Sequence, residues 1–295
     1  MRRPEYRGLG WYVTHAFLFS TIAAVYKHLI PLFNVFQITF LQTLFATPVL
    51  YVLCVKSGQK LVPLQHQGLH LKRSLSWLIA TAIYFYALQF IDLPKATAIK
   101  FSVPLFTSIL AILWLGEKAT PSRFVSLFFG FCGMTVILET GLPGFEVASV
   151  LILIASFLWS FTDIFIKLLS KHVDPIIKTF YFACYSSLFS LPMALYYWKM
   201  PLGTEWLWFM GLAALFVCNI ISVSHAYKAV DLTVLMPFSF TQLIFIAFYS
   251  TVFFNEPITL NTVLGSCIII CSTSFCAYHE RKRQQTIRLK EQTIL

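Results

Sequence analysis

Ala87-Leu88-Gln89-Phe90-Ile91-Asp92-Leu93 returns 139 residues downstream as Ala226-Tyr227-Lys228-Ala229-Val230-Asp231-Leu232, and Glu117 returns as Glu256 at the same offset. The spacing from Asp to Glu is 25 residues in both places. At an offset of 140, Ser20 pairs with Ser160 and Lys27 with Lys167, while Pro48 and Pro192 drift by four residues more. One such coincidence carries little. Four in register divide the chain into two copies of one unit, residues 1–140 and 141–280, with a basic tail over 281–295.

What each copy contains follows from composition. Of the 295 residues 58% are hydrophobic and 12% charged, with a mean hydropathy of +0.75, whereas soluble domains carry about 25% charged residues. Apolar runs able to cross about 30 Å of hydrocarbon, each stopped by charges, Pro or Gly, fall at Leu9–His28, Phe33–Val55, Leu75–Ile91, Ala96–Leu115, Pro121–Leu138, Val147–Leu169, Ile176–Trp198, Trp206–Tyr227, Leu232–Phe254 and Leu260–Tyr278. The predicted fold is all-α and membrane-integral, with ten transmembrane helices in two five-helix repeats. An odd number of helices per copy forces the copies into opposite orientations, and such inverted repeats suit alternating access to a central cavity.

The formal charge of +10 is a topology signal, because the 22 Lys and Arg sit in short segments between apolar runs. With the N-terminus placed in the cytoplasm, eighteen of them fall in inner segments and three, Lys27, Lys95 and Lys199, in outer ones; Lys100 lies inside a helix. Both termini are therefore expected in the cytoplasm and the tail against anionic headgroups. No basic face interleaved with stacking aromatics exists to hold nucleic acid. The seven cysteines lie in or at the ends of apolar runs without a Cys-x-x-Cys pair, which is neither a disulfide framework nor a zinc site. Arg2 and Arg3 precede an apolar stretch interrupted by Thr14, His15 and Ser20, which reads as a first helix and not as a cleaved leader.

Leu115-Gly116-Glu117 and Phe254-Asn255-Glu256, one acidic motif after the fourth helix of each half, resemble the EamA branch of the drug/metabolite transporter superfamily. The resemblance runs from about Leu9 to Tyr278. Within it, Phe101-Ser102-Val103-Pro104-Leu105-Phe106-Thr107, and Asp163-Ile164 with Lys167, are similar to the S-adenosylmethionine uptake carriers of intracellular bacteria. The resemblance implies a multi-pass carrier of the bacterial inner membrane whose cavity is lined by helices one, three, four, six, eight and nine. It leaves the cargo open among amino acids, amines, nucleotide-like metabolites and drugs.

Helix six carries the clearest polar stripe: Ser156, Ser160, Asp163 and Lys167 share one face. A carboxylate at that depth calls for water, a cation or a ligand, with Lys167 one turn away as its expected resting partner. Snorkelling of Lys167 to the interface is the structural alternative. Lys100 is the second intramembrane charge, on a face with Thr97, Pro104 and Thr107, and is suited to a carboxylate; snorkelling to the outer surface is again the alternative. The counterparts of these charges in the other repeat are Ala23 for Asp163 and Ser239 for Lys100, so each belongs to one half alone. His15, and His225 with Asn219 and Ser222 on neighbouring turns, are candidates for coupling or for structural hydrogen bonding. Tyr84, Tyr86, Trp159, Gln242 and Tyr249 fall on the helices expected to line the cavity, where aromatics can cage a cation. Pro104 and Pro237 should kink helices four and nine, and Gly130 and Gly133 form a small face for close packing.

The candidate substrate-binding set is thus Asp163, Lys100, Trp159, Ser160, Tyr84, Tyr86, His15, Asn219, His225 and Gln242, with no metal or cofactor. No P-loop, His-Glu-x-x-His or Gly-x-Ser-x-Gly motif occurs. The expected function is secondary transport of a small polar organic metabolite, S-adenosylmethionine among the candidates, and not catalysis. The alternatives are an amino acid, amine or drug exporter or, of another class, a membrane-embedded enzyme or accessory subunit. The partners are the small-molecule cargo and membrane lipid, and a homodimer is left open.

Overall fold

The computed structural model describes residues 4–57, 66–116, 121–138, 147–169, 173–229, 241–256 and 258–294. Every regular element among them is a helix: α1 (Pro4–Leu29), α2 (Val35–Lys56), α3 (Gln67–Ala87), α4 (Leu93–Lys100), α5 (Val103–Leu115), α6 (Pro121–Leu138), α7 (Val147–Leu169), α8 (Pro175–Tyr196), α9 (Glu205–Ala229), α10 (Thr241–Phe253) and α11 (Leu260–Ile294). Among the described residues five stretches are long and apolar enough to cross a bilayer: Arg7–Leu29, Val35–Lys56, Leu93–Leu115, Val147–Leu169 and Glu205–Val223. Phe128–Ile137, Thr241–Phe253 and Leu260–Ser272 are shorter apolar helices. Pro237, Ser239, Asp231 and Glu117 lie outside the described residues.

The expected fourth helix is interrupted. Pro104 has no N–H to offer the carbonyl one turn back, so α4 stops at Lys100 and α5 starts at Val103 with the proline in its first turn. Tight bonds bridge the gap, from Ser102 N to Ile99 O at 2.9 Å and from Leu105 N to Ser102 O at 3.0 Å. α11 departs from expectation in the other direction and runs 35 residues through the basic tail. The residues after Tyr278 include neither Gly nor Pro and are rich in Arg, Lys, Gln and Glu, so nothing local ends the helix where its apolar part stops.

The helices pack as α1 with α9 and α10, α2 with α8 and α9, α3 with α7 and α8, α7 with α4 and α5, α4 with α10, and α6 with α11. Hydrophobicity cannot drive such contacts in lipid, where the alternative surroundings are equally apolar; close packing and interhelical hydrogen bonds must. Both are present. A Cβ on Gly133 of α6 would stand 2.8 Å from Gly265 O of α11, and one on Gly265 would stand 2.5 Å from Gly133 O, so the two backbones touch. Thr43 Oγ1 and Ser187 Oγ meet at 3.0 Å between α2 and α8, Ser76 Oγ donates to Leu158 O at 2.8 Å between α3 and α7, and Thr21 Oγ1 meets Tyr249 Oη at 2.7 Å between α1 and α10. Large apolar side chains such as Phe124, Phe128 and Phe129 of α6 stand exposed on the outside, as hydrocarbon contact requires.

One backbone detail recurs 139 residues apart. Gly116 at φ 63° and Asn255 at φ 53°, each immediately before the repeated glutamate, are both left-handed. Gly and Asn are the residues that reach this region at low cost.

Candidate functional site

Lys100 ends α4, where a cation also complements the helix dipole. Its Nζ lies 3.6 Å from the centre of the Phe19 ring on α1 and 5.0 Å from that of Trp159 on α7, both within the range of cation–π attraction. The ammonium thus turns into the bundle, between aromatics. Tyr84 of α3 packs on Trp159 at 5.1 Å between ring centres.

One turn beyond Trp159 on the same helix stands Asp163, an exposed residue. Its Oδ2 accepts from Thr107 Oγ1 of α5 at 3.1 Å, and Arg73 of α3 and Lys100 are the cations within its electrostatic reach. Arg73 is itself held from α8: its guanidinium lies 4.6 Å from the Phe182 ring centre and Nη1 donates to Lys178 O at 3.1 Å. His15 of α1 meets Asn219 of α9, Nδ1 to Oδ1, at 2.6 Å, and Lys100 is within electrostatic reach of the imidazole.

Asp163, Lys100, Trp159, Tyr84, His15 and Asn219 therefore gather around one region of the bundle. The remaining candidates stand elsewhere. Ser160 is fully buried and donates to Phe157 O at 2.5 Å, and Ser156 likewise donates to Ile152 O at 2.8 Å, so both hydroxyls are spent within their own helix. Tyr86 is 54% exposed with its ring against Phe90. His225 stacks on Trp11 at 5.0 Å beside an open cleft lined by Arg7, Gly10, Trp11 and Thr14. Gln242 is buried and its carbonyl accepts from Ser20 Oγ at 3.3 Å.

The sequence reading passed over Arg73 and Phe19. Arg73 had been counted as a topology cation, although Arg73, Trp77 and Tyr84, spaced four and seven apart, share a face of α3. Phe19 is one of 30 phenylalanines and had no local mark.

A second polar cluster closes the opposite end of α1. Lys27 forms an ion pair with Glu256 Oε1, while Oε2 accepts from Leu93 N at 3.0 Å and Ser250 Oγ at 2.9 Å. The left-handed turn at Asn255 folds the glutamate back over α10, and Glu256 N donates to Ser250 O at 3.2 Å. One carboxylate thereby holds the end of α1, an otherwise unpaired N–H at the start of α4 and the end of α10. The Lys27 and Glu256 side chains are only 12% and 14% exposed.

Long apolar helices tied by buried polar contacts, with a charged and aromatic cluster inside the bundle, define a multi-pass membrane protein. The chain matches the EamA-like transporter family twice, over residues 6–139 and 147–278, and belongs to that family. It is 28% identical over 281 residues to an S-adenosylmethionine uptake transporter of Rickettsia conorii, covering 93% of this chain and 94% of that one. It is 30% identical over 226 residues to a riboflavin transporter of Vibrio cholerae, covering 76% of each. A solved crystal structure shares the fold at a TM-score of 0.66 and 15% identity, covering 93% of this chain and 98% of that one.

Proposed function

We propose that this transporter is a secondary carrier of a small charged organic metabolite, with S-adenosylmethionine the leading cargo, working by alternating access between two inverted five-helix repeats in the bacterial inner membrane. The observation that carries the reading is the charge cluster in which Asp163 of α7 lies within electrostatic reach of Lys100 of α4 and Arg73 of α3, with the Lys100 ammonium over the Phe19 and Trp159 rings. Intramembrane charges of this kind are costly unless function uses them. A neutral cargo such as riboflavin gives them little to recognise, whereas a cargo bearing a carboxylate and cations gives each a partner.

The inverted repeat has independent support. Exchanging the halves turns α1–α9 into α7–α3, α1–α10 into α7 with α4 and α5, and α2–α9 into α8–α3, while α2–α8, α6–α11 and α4–α10 map onto themselves; all of these pairs pack. The twin matches of one family and the twin left-handed residues at 116 and 255 agree with it. On the same offsets Lys167 and Glu117 are the counterparts of Lys27 and Glu256. A second knot made by that pair would close the opposite end, and alternation between the two knots would expose the centre first to one side and then to the other.

The test is uptake into proteoliposomes of labelled S-adenosylmethionine, with amino acids, amines, riboflavin and drugs as competitors. Saturable accumulation of S-adenosylmethionine supports the reading. Transport of a neutral member of the panel with indifference to S-adenosylmethionine would overturn it.

A further inference from the structure

We infer that the cage of Phe19 and Trp159, filled here by the Lys100 ammonium, is the seat of an onium group on the cargo, and that the cargo's own carboxylate draws Lys100 off the rings. The inference rests on the transport reading and deepens it. It names the cargo class as an α-amino acid that carries a second, fixed cation.

Three observations converge. First, Lys100 and Asp163 are within electrostatic reach of one another, yet no ion pair within 4.0 Å joins these two described residues. Lys100 stands over two rings and Asp163 holds a threonine hydroxyl, so two opposite charges face the same region without neutralising each other directly. Such a split pair suits a ligand that brings both signs on neighbouring atoms, as the carboxylate and ammonium of an amino acid do.

Second, the walls of the cage are repeat-related and its occupant is not. Phe19 and Trp159 are 140 residues apart, the same offset that pairs Ser20 with Ser160, whereas the counterpart of Lys100 is Ser239. An aromatic from the first helix of each half therefore flanks the place where the halves meet, where carriers built from inverted repeats hold their cargo. The lysine was added to one half only.

Third, the exchange keeps every charge matched. A carboxylate alone would pull Lys100 away and leave the rings empty; a cation alone would have to evict Lys100 into competition for Asp163. A ligand with both accomplishes the swap in one step: its carboxylate takes Lys100, its ammonium takes Asp163, and its onium takes the rings. The resting lysine is thus a built-in stand-in for the cargo's cation, and it excludes compounds that lack either group.

The experiment compares three inhibitors of labelled S-adenosylmethionine uptake in proteoliposomes: unlabelled S-adenosylmethionine, S-adenosylhomocysteine, which lacks the onium charge, and decarboxylated S-adenosylmethionine, which lacks the carboxylate. Wild type should prefer the complete molecule to either of the others by about tenfold or more, the scale of a desolvated cation–π contact or a charge-assisted hydrogen bond. Phe19→Leu and Trp159→Leu should erase the preference over S-adenosylhomocysteine and keep the preference over the decarboxylated compound. Lys100→Gln should do the reverse, and Lys100→Arg should retain both. Equal inhibition of the wild type by all three compounds, or a Phe19→Leu carrier that discriminates like wild type, overturns the inference while leaving the transport reading intact. Calorimetric binding of the same compounds to the purified protein separates the two claims. Intact preference in a protein that moves nothing overturns the transport reading alone. A wild type that neither binds nor moves any of the three overturns both.

Discussion

Glu256→Gln should unlock the end of the bundle at which Lys27 and Glu256 meet. The substitution removes the charge and the oxygen paired with Lys27 and keeps, in place of Oε2, one amide oxygen able to accept from both Leu93 N and Ser250 Oγ. Removing one member of a buried ion pair costs about 3–5 kcal/mol; the residual exposure of 12% and 14% and the retained acceptor bring the expected loss to about 2–3 kcal/mol. On the proposed alternating access the contacts joining α1, α4 and α10 belong to the state closed at that end, so the loss should shift its population against the open one by about 30- to 150-fold, at 1.4 kcal/mol per decade. Ala96 on α4 is fully buried one turn in from Leu93 and serves as the reporter. With Ala96→Cys in a background whose seven native cysteines are replaced, Glu256→Gln should raise the labelling rate by a membrane-impermeant thiol reagent, and Lys27→Met should do so comparably. The charge-reversed double variant, Lys27→Glu with Glu256→Lys, should restore protection in part, since a lysine at 256 can pair with position 27 but cannot accept from Leu93 N. An unchanged labelling rate in well-inserted Glu256→Gln refutes the reasoning.

Asp163→Asn should abolish uptake with membrane abundance retained, and Thr107→Val, which removes only a hydrogen bond at 3.1 Å, should be milder; full uptake by well-inserted Asp163→Asn ends the assignment of that carboxylate to the site. Gly133→Ala should destabilise by about 1–3 kcal/mol because its Cβ meets Gly265 O at 2.8 Å, while Gly211→Ala, with open space around it, should not; thermal unfolding in detergent followed by size-exclusion chromatography compares them. A cysteine at Gly144 in the same background should label only from outside the cell, as the bias of eighteen inner against three outer Lys and Arg requires; labelling only from the cytoplasm reverses the orientation.

Helix ends were legible where the chain carries a breaker. α1 stops at Leu29, one residue past the expected end and two before Pro31, and α8 starts at Pro175, one residue before the expected Ile176, behind the Asp174 cap. They were illegible where amphipathic polar sequence continues a helix: α3 starts at Gln67 and not at Leu75, and α11 runs to Ile294 and not to Tyr278. Apolar runs report where lipid begins, whereas hydrogen bonding of the helix ignores that border. The site divides in the same way. Asp163 and Lys100 stand out locally as charges in apolar runs, but the partners Arg73 and Thr107 reach Asp163 through packing of α3, α5 and α7 that no local pattern contains.

Lys27 and Glu256 mark a further boundary of what a sequence can disclose. Both were visible as repeat positions, yet their contact spans 229 residues and joins one half to the other, so the offset identified the residues without naming the bond. With the bond known, the offset gains meaning. The elements that recur in both halves are the basic residue at the end of the first helix, the acidic residue after the fourth, the left-handed residue before it and the aromatic at 19 or 159. Those that occur once are Asp163, against Ala23, and Lys100, against Ser239. Recurrent residues make the Lys27–Glu256 knot and the aromatic walls around Lys100, parts that the proposed alternation between two equivalent conformations would need twice. Unpaired residues put the charges inside, where an asymmetric cargo must be met by an asymmetric surface. On the proposed repeat, moving one of the unpaired charges to its counterpart position, as in Lys100→Ser with Ser239→Lys, would offer the cargo the charge from the half-turn-related position, and in the same inhibitor comparison the carrier should keep its fold while losing its preference among ligands; an unchanged preference would refute the assignment of Lys100.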